Sequence, residues 1–327
     1  MKTNCDKEHL LAACLTLHFQ IHPRDIVRIN GYSNCNYQIT DISGKQYILR
    51  YARKNRSKDS VNQENHVLDY LKNSKINYFP HLIAWMIEPE TNRFIHLFEM
   101  IRGDVICLWW QQCCFANLTK IFEHLALLHK EMSKIPLQSK SINQNRCLLK
   151  AAPPLILEET TVGQYVIQNW AVFCKNASLL ISDIEMAFPW DQAHYQWIHG
   201  DVHLENILFD SDQLTAFLDF EFTLWDACEK DLIFSAFRVC KEGNTDQPFQ
   251  YDEERFQHAI NCYRRKGCQL NTAFFRDYQS LWKPYFCFNQ SMLYIQNTFD
   301  GVWQLQENTG FLPCFNEVLH YYPEKRS

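Results

Sequence analysis

Through roughly the first hundred residues the pattern of apolar and polar positions alternates strands with one clear helix, and beyond them the apolar residues recur mostly at helical spacing. Leu10, Cys14, Leu15 and Phe19 place an amphipathic helix near the start of the chain. Cys35 to Ile42 predicts a strand, Ser43-Gly44 a turn, and Gln46 to Tyr51 a second strand, together a β-hairpin. In that second strand Tyr47, Leu49 and Tyr51 share one face, and Ile48 and Arg50 share the other. A helix is expected from about Ser60 to Lys72, with Ser60 and Gln63 as a capping box. Val61, Leu68 and Leu71 form its apolar stripe, and Glu64 lies within it. Strands follow at about His81 to Ile87 and Arg93 to Met100, and Gly103 then breaks the pattern.

After Gly103 the spacing turns helical. Asn117 is placed to cap a helix carrying Ile121, Phe122, Leu125 and Leu128. Pro153-Pro154 marks a loop, and helices are expected at about Val162 to Phe173 and Ala177 to Met186. Trp197 and Ile198 lead into the segment His199-Gly200-Asp201-Val202-His203-Leu204-Glu205-Asn206. Two short strands, Asn206 to Phe209 and Leu214 to Asp219, flank a turn at Asp210 to Asp212. From about Glu253 the tail is aromatic and helical, and no internal repeat or low-complexity linker interrupts the chain.

Composition narrows the class. At 327 residues the chain is long enough for two lobes. Its 46% hydrophobic and 21% charged residues are an ordinary globular balance, and its 14% aromatic content reads first as core. A net charge of -5 argues against a nucleic-acid partner, which needs clustered Lys and Arg. The 14 cysteines are scattered, with no Cys-x-x-Cys pair, as in a reducing compartment. Asp6 and Glu8 spoil the basic start of a signal peptide, and no apolar stretch is long enough to span a bilayer. The expectation is a soluble, cytoplasmic protein with no membrane partner.

The chemistry gathers around Asp201. Asp201 and Asn206 have the five-residue spacing of a kinase catalytic loop, with the Asp as base and the Asn as metal ligand. Asp219, in Leu218-Asp219-Phe220-Glu221, adds a hard oxygen ligand suited to Mg²⁺. The strand-turn-strand between them returns the chain to the same place. Read blandly, both aspartates are polar loop residues. The full run His-Gly-Asp-x-His-x-x-Asn, then Ile-Leu-Phe and Phe-Leu-Asp-Phe-Glu, is far more specific than that reading allows.

This segment resembles the aminoglycoside phosphotransferase and choline kinase superfamily. The resemblance implies an α+β, bilobal, protein-kinase-like fold with an N-terminal antiparallel sheet and one main helix, followed by a larger, mostly helical C-terminal lobe. It places a nucleotide-binding lobe over residues 1–102, a hinge at about 98–103, and a catalytic and substrate-binding lobe over 103–327. It implies ATP and Mg²⁺ as cofactors and a small-molecule acceptor. Asp201 would be the catalytic base, Asn206 and Asp219 the metal ligands, and His199 and Asp231 structural supports of the loop; His203 is read as loop packing.

The resemblance runs from about residue 28 to 240. Gly31 to Tyr37 looks like the turn that covers the phosphates, offering Ser33 and Asn34. Tyr47-Ile48-Leu49-Arg50 matches the strand of the nucleotide lysine, here Arg50, and Glu64 stands where a helix carboxylate would pair with it. Phe98 to Gly103 resembles the hinge, where backbone groups at Glu99 and Ile101 would hold the adenine. Only eleven residues separate Asp219 from Asp231, too few for the activation loop of a protein kinase. The acceptors implied are choline or ethanolamine, homoserine, or an aminoglycoside-like compound. The rival is a non-catalytic nucleotide-binding or scaffolding protein on the same fold, and Arg50 in the lysine position is the residue that favours it.

Overall fold

The alternating half of the pattern builds one antiparallel sheet. The computed structural model describes residues 4–29, 31, 34–108, 111–137, 160–242, 249–299 and 310–321. Five strands, β1 (Pro23–Ile29), β2 (Cys35–Asp41), β3 (Gln46–Tyr51), β4 (Leu82–Ile87) and β5 (Phe94–Glu99), pair in the order β1-β2-β3-β5-β4. β1 has no clear signal in the sequence, because Arg24, Asp25 and Arg28 interrupt its alternation; it is an edge strand with much of its length exposed.

The two faces of this sheet do different work. On one, Leu15 of α1 (Asn4–Phe19) packs with Ile39, Tyr47, Leu49, Ile95 and Leu97. On the other lies α2 (Lys58–Leu71), whose buried side carries Val61, Glu64, Val67, Leu68 and Leu71. Arg50 and its cross-strand partner His96 share that second face with Ile48 and Phe98. The period-two reading of β3 therefore holds, and it aims Arg50 at α2. α2 starts earlier than the capping box suggested. Ser57 is its N-cap, accepting from the Ser60 N–H at 3.1 Å, which leaves the Ser60 hydroxyl to donate to the Glu221 carbonyl at 3.2 Å.

The helical part surrounds two small sheets. β6 (Asp104–Val105), β8 (Ile207–Asp210) and β9 (Gln213–Phe217) form one, and β7 (Tyr195–Ile198) pairs with β10 (Leu224–Ala227) in the other. α3 (Phe115–Met132) begins two residues before Asn117, with Cys114 at its N-cap and no side-chain cap. α4 (Thr161–Ala187) is one continuous helix where two were expected. Its polar break is satisfied in place: the buried Asn176 amide donates to the Leu319 carbonyl at 2.7 Å. α5 (Cys228–Val239), α6 (Glu253–Arg265), α7 (Lys283–Phe299) and α8 (Phe311–Leu319) complete the described helices. Trp282, Tyr285 and Phe286 lie in the main core, and Trp303 and Pro153-Pro154 fall outside the described residues. The described cysteines are all free thiols.

Candidate active site

The site is built on the loop between β7 and β8. Gly200 must be glycine: its φ is +80°, and a Cβ there would stand 2.4 Å from the Phe222 carbonyl oxygen. This turn leads into Asp201, whose backbone N–H donates to His199 Nδ1 at 3.2 Å. His199 Nε2 lies 2.9 Å from the Leu218 carbonyl, which can only accept. His199 is therefore the neutral tautomer protonated on Nε2, and burial pushes it down to about 4 despite nearby Asp231 and Asp201. It clamps the loop to the chain leaving β9. A second clamp runs from the Leu218 N–H to the Asn206 carbonyl at 2.7 Å.

These clamps converge the three predicted oxygen-bearing residues. The Asn206 amide donates to the Asp201 carbonyl at 3.1 Å and to its carboxylate Oδ2 at 3.2 Å. Burial alone would raise Asp201, but His203 at 3.5 Å and Arg238 at 3.8 Å hold it well below the usual carboxylate range. Asp201 thus stays ionised, the state a proton acceptor needs. Asp219 follows β9 by two residues, in a left-handed conformation with φ 59° and ψ 70°. Its carboxylate meets Arg50 Nη1 at 3.3 Å. Burial and the neighbouring Glu221 push Asp219 above the usual carboxylate range, against the pull of Arg50.

Arg50 is held from the other side. Its Nη2 donates to both oxygens of Glu64, at 2.7 and 2.6 Å. Arg50 and Glu64 are buried, and their mutual attraction keeps Glu64 ionised despite burial. Asn34 is also at this junction, with its Nδ2 donating to Glu221 Oε2 at 3.0 Å and its Oδ1 accepting from the Arg53 N–H at 3.0 Å. Ser33 lies outside the described residues. Glu99 ends β5, where its exposed side chain pairs with His81 at 3.5 Å and Lys45 at 3.9 Å, apart from the Asp201 cluster. Ile101 follows it in the connection to β6.

Beneath the loop, Asp231 accepts from the Gly200 N–H at 3.2 Å and pairs with His129 Nε2 at 3.0 Å. Arg238, two helical turns further along α5, donates to the Gly200 carbonyl at 3.1 Å. Arg238 and His129 were not singled out in the sequence. The seven-residue step from Asp231 to Arg238 was the available signal, since it puts both on one helix face. Glu221, two residues after Asp219, faces Asn34 and Arg56.

Residues 25–265 match the phosphotransferase enzyme family, and the chain belongs to that family. Its fold is shared with an amicoumacin kinase solved with AMP-PNP, Ca²⁺ and Ami, at a TM-score of 0.68 and 15% identity, covering 96% of this chain and 93% of the other. It is similarly shared with the choline kinase LicA from Streptococcus pneumoniae, at 0.63 and 14%, covering 97% and 100%. A gentamicin-bound APH(2")-IIa structure superposes at 0.61 and 15%, covering 98% and 97%. No curated protein sequence matches the chain. The architecture is thus α+β, bilobal and protein-kinase-like, that of phosphotransferases acting on small molecules. Among the described residues no helix is long and apolar enough to cross a membrane.

Proposed function

We propose that the protein transfers the γ-phosphoryl group of ATP, with Mg²⁺, to a hydroxyl of a small polar molecule, and that Asp201 is the base. The observation that carries this reading is the convergence of Asp201, Asn206 and Asp219 within one clamped loop, with Arg50 and Glu64 reaching in from the sheet. Residues 1–102 would bind the nucleotide, with the connection at about 98–103 taking the adenine on the backbone of Glu99 and Ile101. Residues 103–327 would carry the base and the acceptor. Ser33 and Asn34 would lie over the phosphates.

The donor set fits a hard divalent cation. Among the described residues no cluster of three or more His, Cys, Asp or Glu is placed to hold a metal. Mg²⁺ does not require one, because it binds through one or two carboxylates and completes its shell with phosphates and water. Asp219 supplies a carboxylate in a spot crowded with negative charge, and the Asn206 amide oxygen is a neutral partner. When bound, the ion would neutralise phosphate charge as it develops. Asp201 would accept the acceptor's proton, and His199, Asp231 and Arg238 would keep its loop in register. Arg50, always charged, would fork onto phosphate oxygens once released from Asp219.

The acceptor would be an alcohol such as an aminoalcohol, homoserine or an aminoglycoside. The test is ATP consumption by purified protein over that panel, with Asp201→Asn as control. Product that depends on Asp201 supports the reading. Nucleotide binding without any Asp201-dependent product would shift it to a nucleotide-binding scaffold.

A further inference from the structure

Five buried or half-buried charges form one alternating chain between the sheet and the turn after β9. Asp219 meets Arg50 at 3.3 Å, Arg50 meets Glu64 at 2.6 Å, and Glu64 meets Arg56 Nη2 at 2.5 Å. Arg56 Nη1 in turn stands 3.9 Å from Glu221 Oε2. The chain starts and ends on one turn, two residues apart, and passes through β3, α2 and the loop between them. Only its Asp219 end opens to solvent, with 32% of that side chain exposed against 8% or less for the other four. Next to it, His96 has no hydrogen-bond partner for either ring nitrogen, and burial and Arg50 keep it neutral. The Arg56 side chain is 1% exposed, yet its Nε and Nη1 make no hydrogen bond.

We propose that Arg56 is a positioning residue for phosphoryl transfer, holding Glu64 and Glu221 when Arg50 turns from Asp219 to the nucleotide phosphates. The reasoning is geometric. Arg50 spends Nη2 on Glu64 and Nη1 on Asp219, so a phosphate gripped through the two terminal nitrogens competes with at least one of those contacts, although Nε is without a partner. Glu64 is too buried for water to replace a lost partner. Arg56, already on Glu64 Oε2, supplies the second cation. Glu221 anchors Arg56 from the far side and is itself gripped by the Asn34 amide, while the Ser60 hydroxyl of α2 donates to the Glu221 carbonyl. Two arginines on one glutamate thus do what a single lysine–glutamate pair does in a kinase. They also tie α2 to the turn that carries Asp219.

This inference rests on the phosphotransfer reading, and its test separates the two. Mg-AMP-PNP affinity is measured directly for the wild-type chain and for Arg56→Gln, Arg56→Lys and Glu221→Gln, with ATP KM and kcat beside it and thermal unfolding as a control. Arg56→Gln should weaken nucleotide affinity about tenfold and raise KM. Arg56→Lys, which keeps the charge, should recover part of it. Glu221→Gln should weaken affinity less, and the double variant with Arg56→Gln should lose less than the sum. Unchanged affinity and KM in folded Arg56→Gln, or no recovery in folded Arg56→Lys, overturns the positioning role alone. A lowered unfolding temperature with unchanged affinity does the same, because it marks a merely structural residue. Failure of the wild-type chain to bind Mg-AMP-PNP sinks the phosphotransfer reading and this proposal with it.

Discussion

Two buried charge clusters flank the Asp201 loop, and they are finished to different degrees. Below it, His129, Asp231 and Arg238 end on the loop's backbone: Asp231 takes the Gly200 N–H and Arg238 the Gly200 carbonyl. His129 is bonded at both ring nitrogens, to Asp231 at 3.0 Å and to the Tyr263 hydroxyl at 2.8 Å. On the sheet side, Arg50, Glu64 and Arg56 end on side chains, and Arg50 Nε with Arg56 Nε and Nη1 lack hydrogen-bond partners. A saturated cluster holds one geometry, because every move breaks a bond in a low-dielectric interior. An unsaturated one keeps capacity for a ligand. On the proposed reading the lower cluster would mount Asp201 and the upper one would grip the phosphates.

Substitutions can break that contrast, and the largest effect belongs to the mounted residue itself. Asp201→Asn should cut transfer by about two to four orders of magnitude while Mg-nucleotide binding survives, read from kcat and a direct binding titration. Equal loss of binding would make Asp201 part of the grip instead. Next is Asp231→Asn, which strands a charged His129 in the core. It should cost about 3–5 kcal/mol in urea unfolding and carry the loop's activity with it. Asp219→Ala, at the open end of the upper cluster, should weaken Mg-nucleotide binding about tenfold or more while leaving the fold intact. Unchanged Mg²⁺ dependence would remove it from the ligand set.

A pH titration sharpens the same contrast with a smaller signal. Burial opposes charge on His129, but Cys228 and Asp231 outweigh it and raise the group from 6.5 to about 10. The other titratable groups facing it are Tyr263 and, beyond Tyr263, Cys268. A raised folded value stabilises fully below the unfolded value and is lost as pH rises through the folded one. Stability should therefore fall between about pH 6.5 and about pH 10, and His129→Gln should flatten that slope in unfolding curves measured across the range. The smallest effect expected is from Arg50→Lys. One ammonium cannot keep a two-pronged hold on Glu64 and Asp219 together, so stability should drop by about 1 kcal/mol with a modest change in ATP KM.

The loop at the centre of the site and the turn after β9 were largely legible in one dimension. Asp201, Asn206 and Asp219 lie within a short strand-turn-strand, so local pairing alone returns them to one point. Arg50 was legible because strand period sets its face, and Glu64 because helix period turns it inward. Arg238 was within reach of the same argument. Arg56 was not: it sits in a loop without periodicity, and its role depends on a glutamate one helix away and another far along the chain. β1 and the unbroken α4 were hidden for a related reason. Charged residues on an exposed edge strand and a polar residue buried inside a helix both look like interruptions until their surroundings are known.

Pattern and spacing determined four of the five strands of the sheet and the face of β3, since each follows from short-range sterics and burial. Apart from Arg50 with Glu64, which carboxylate each guanidinium takes was decided by tertiary structure alone. Arg50 meets Asp219 across 169 positions and Asn34 meets Glu221 across 187, and those distances close only when the sheet and the helical lobe pack together. Charge carries no period along a chain, so the pairing of these groups is set by where packing brings them and not by where they stand in sequence.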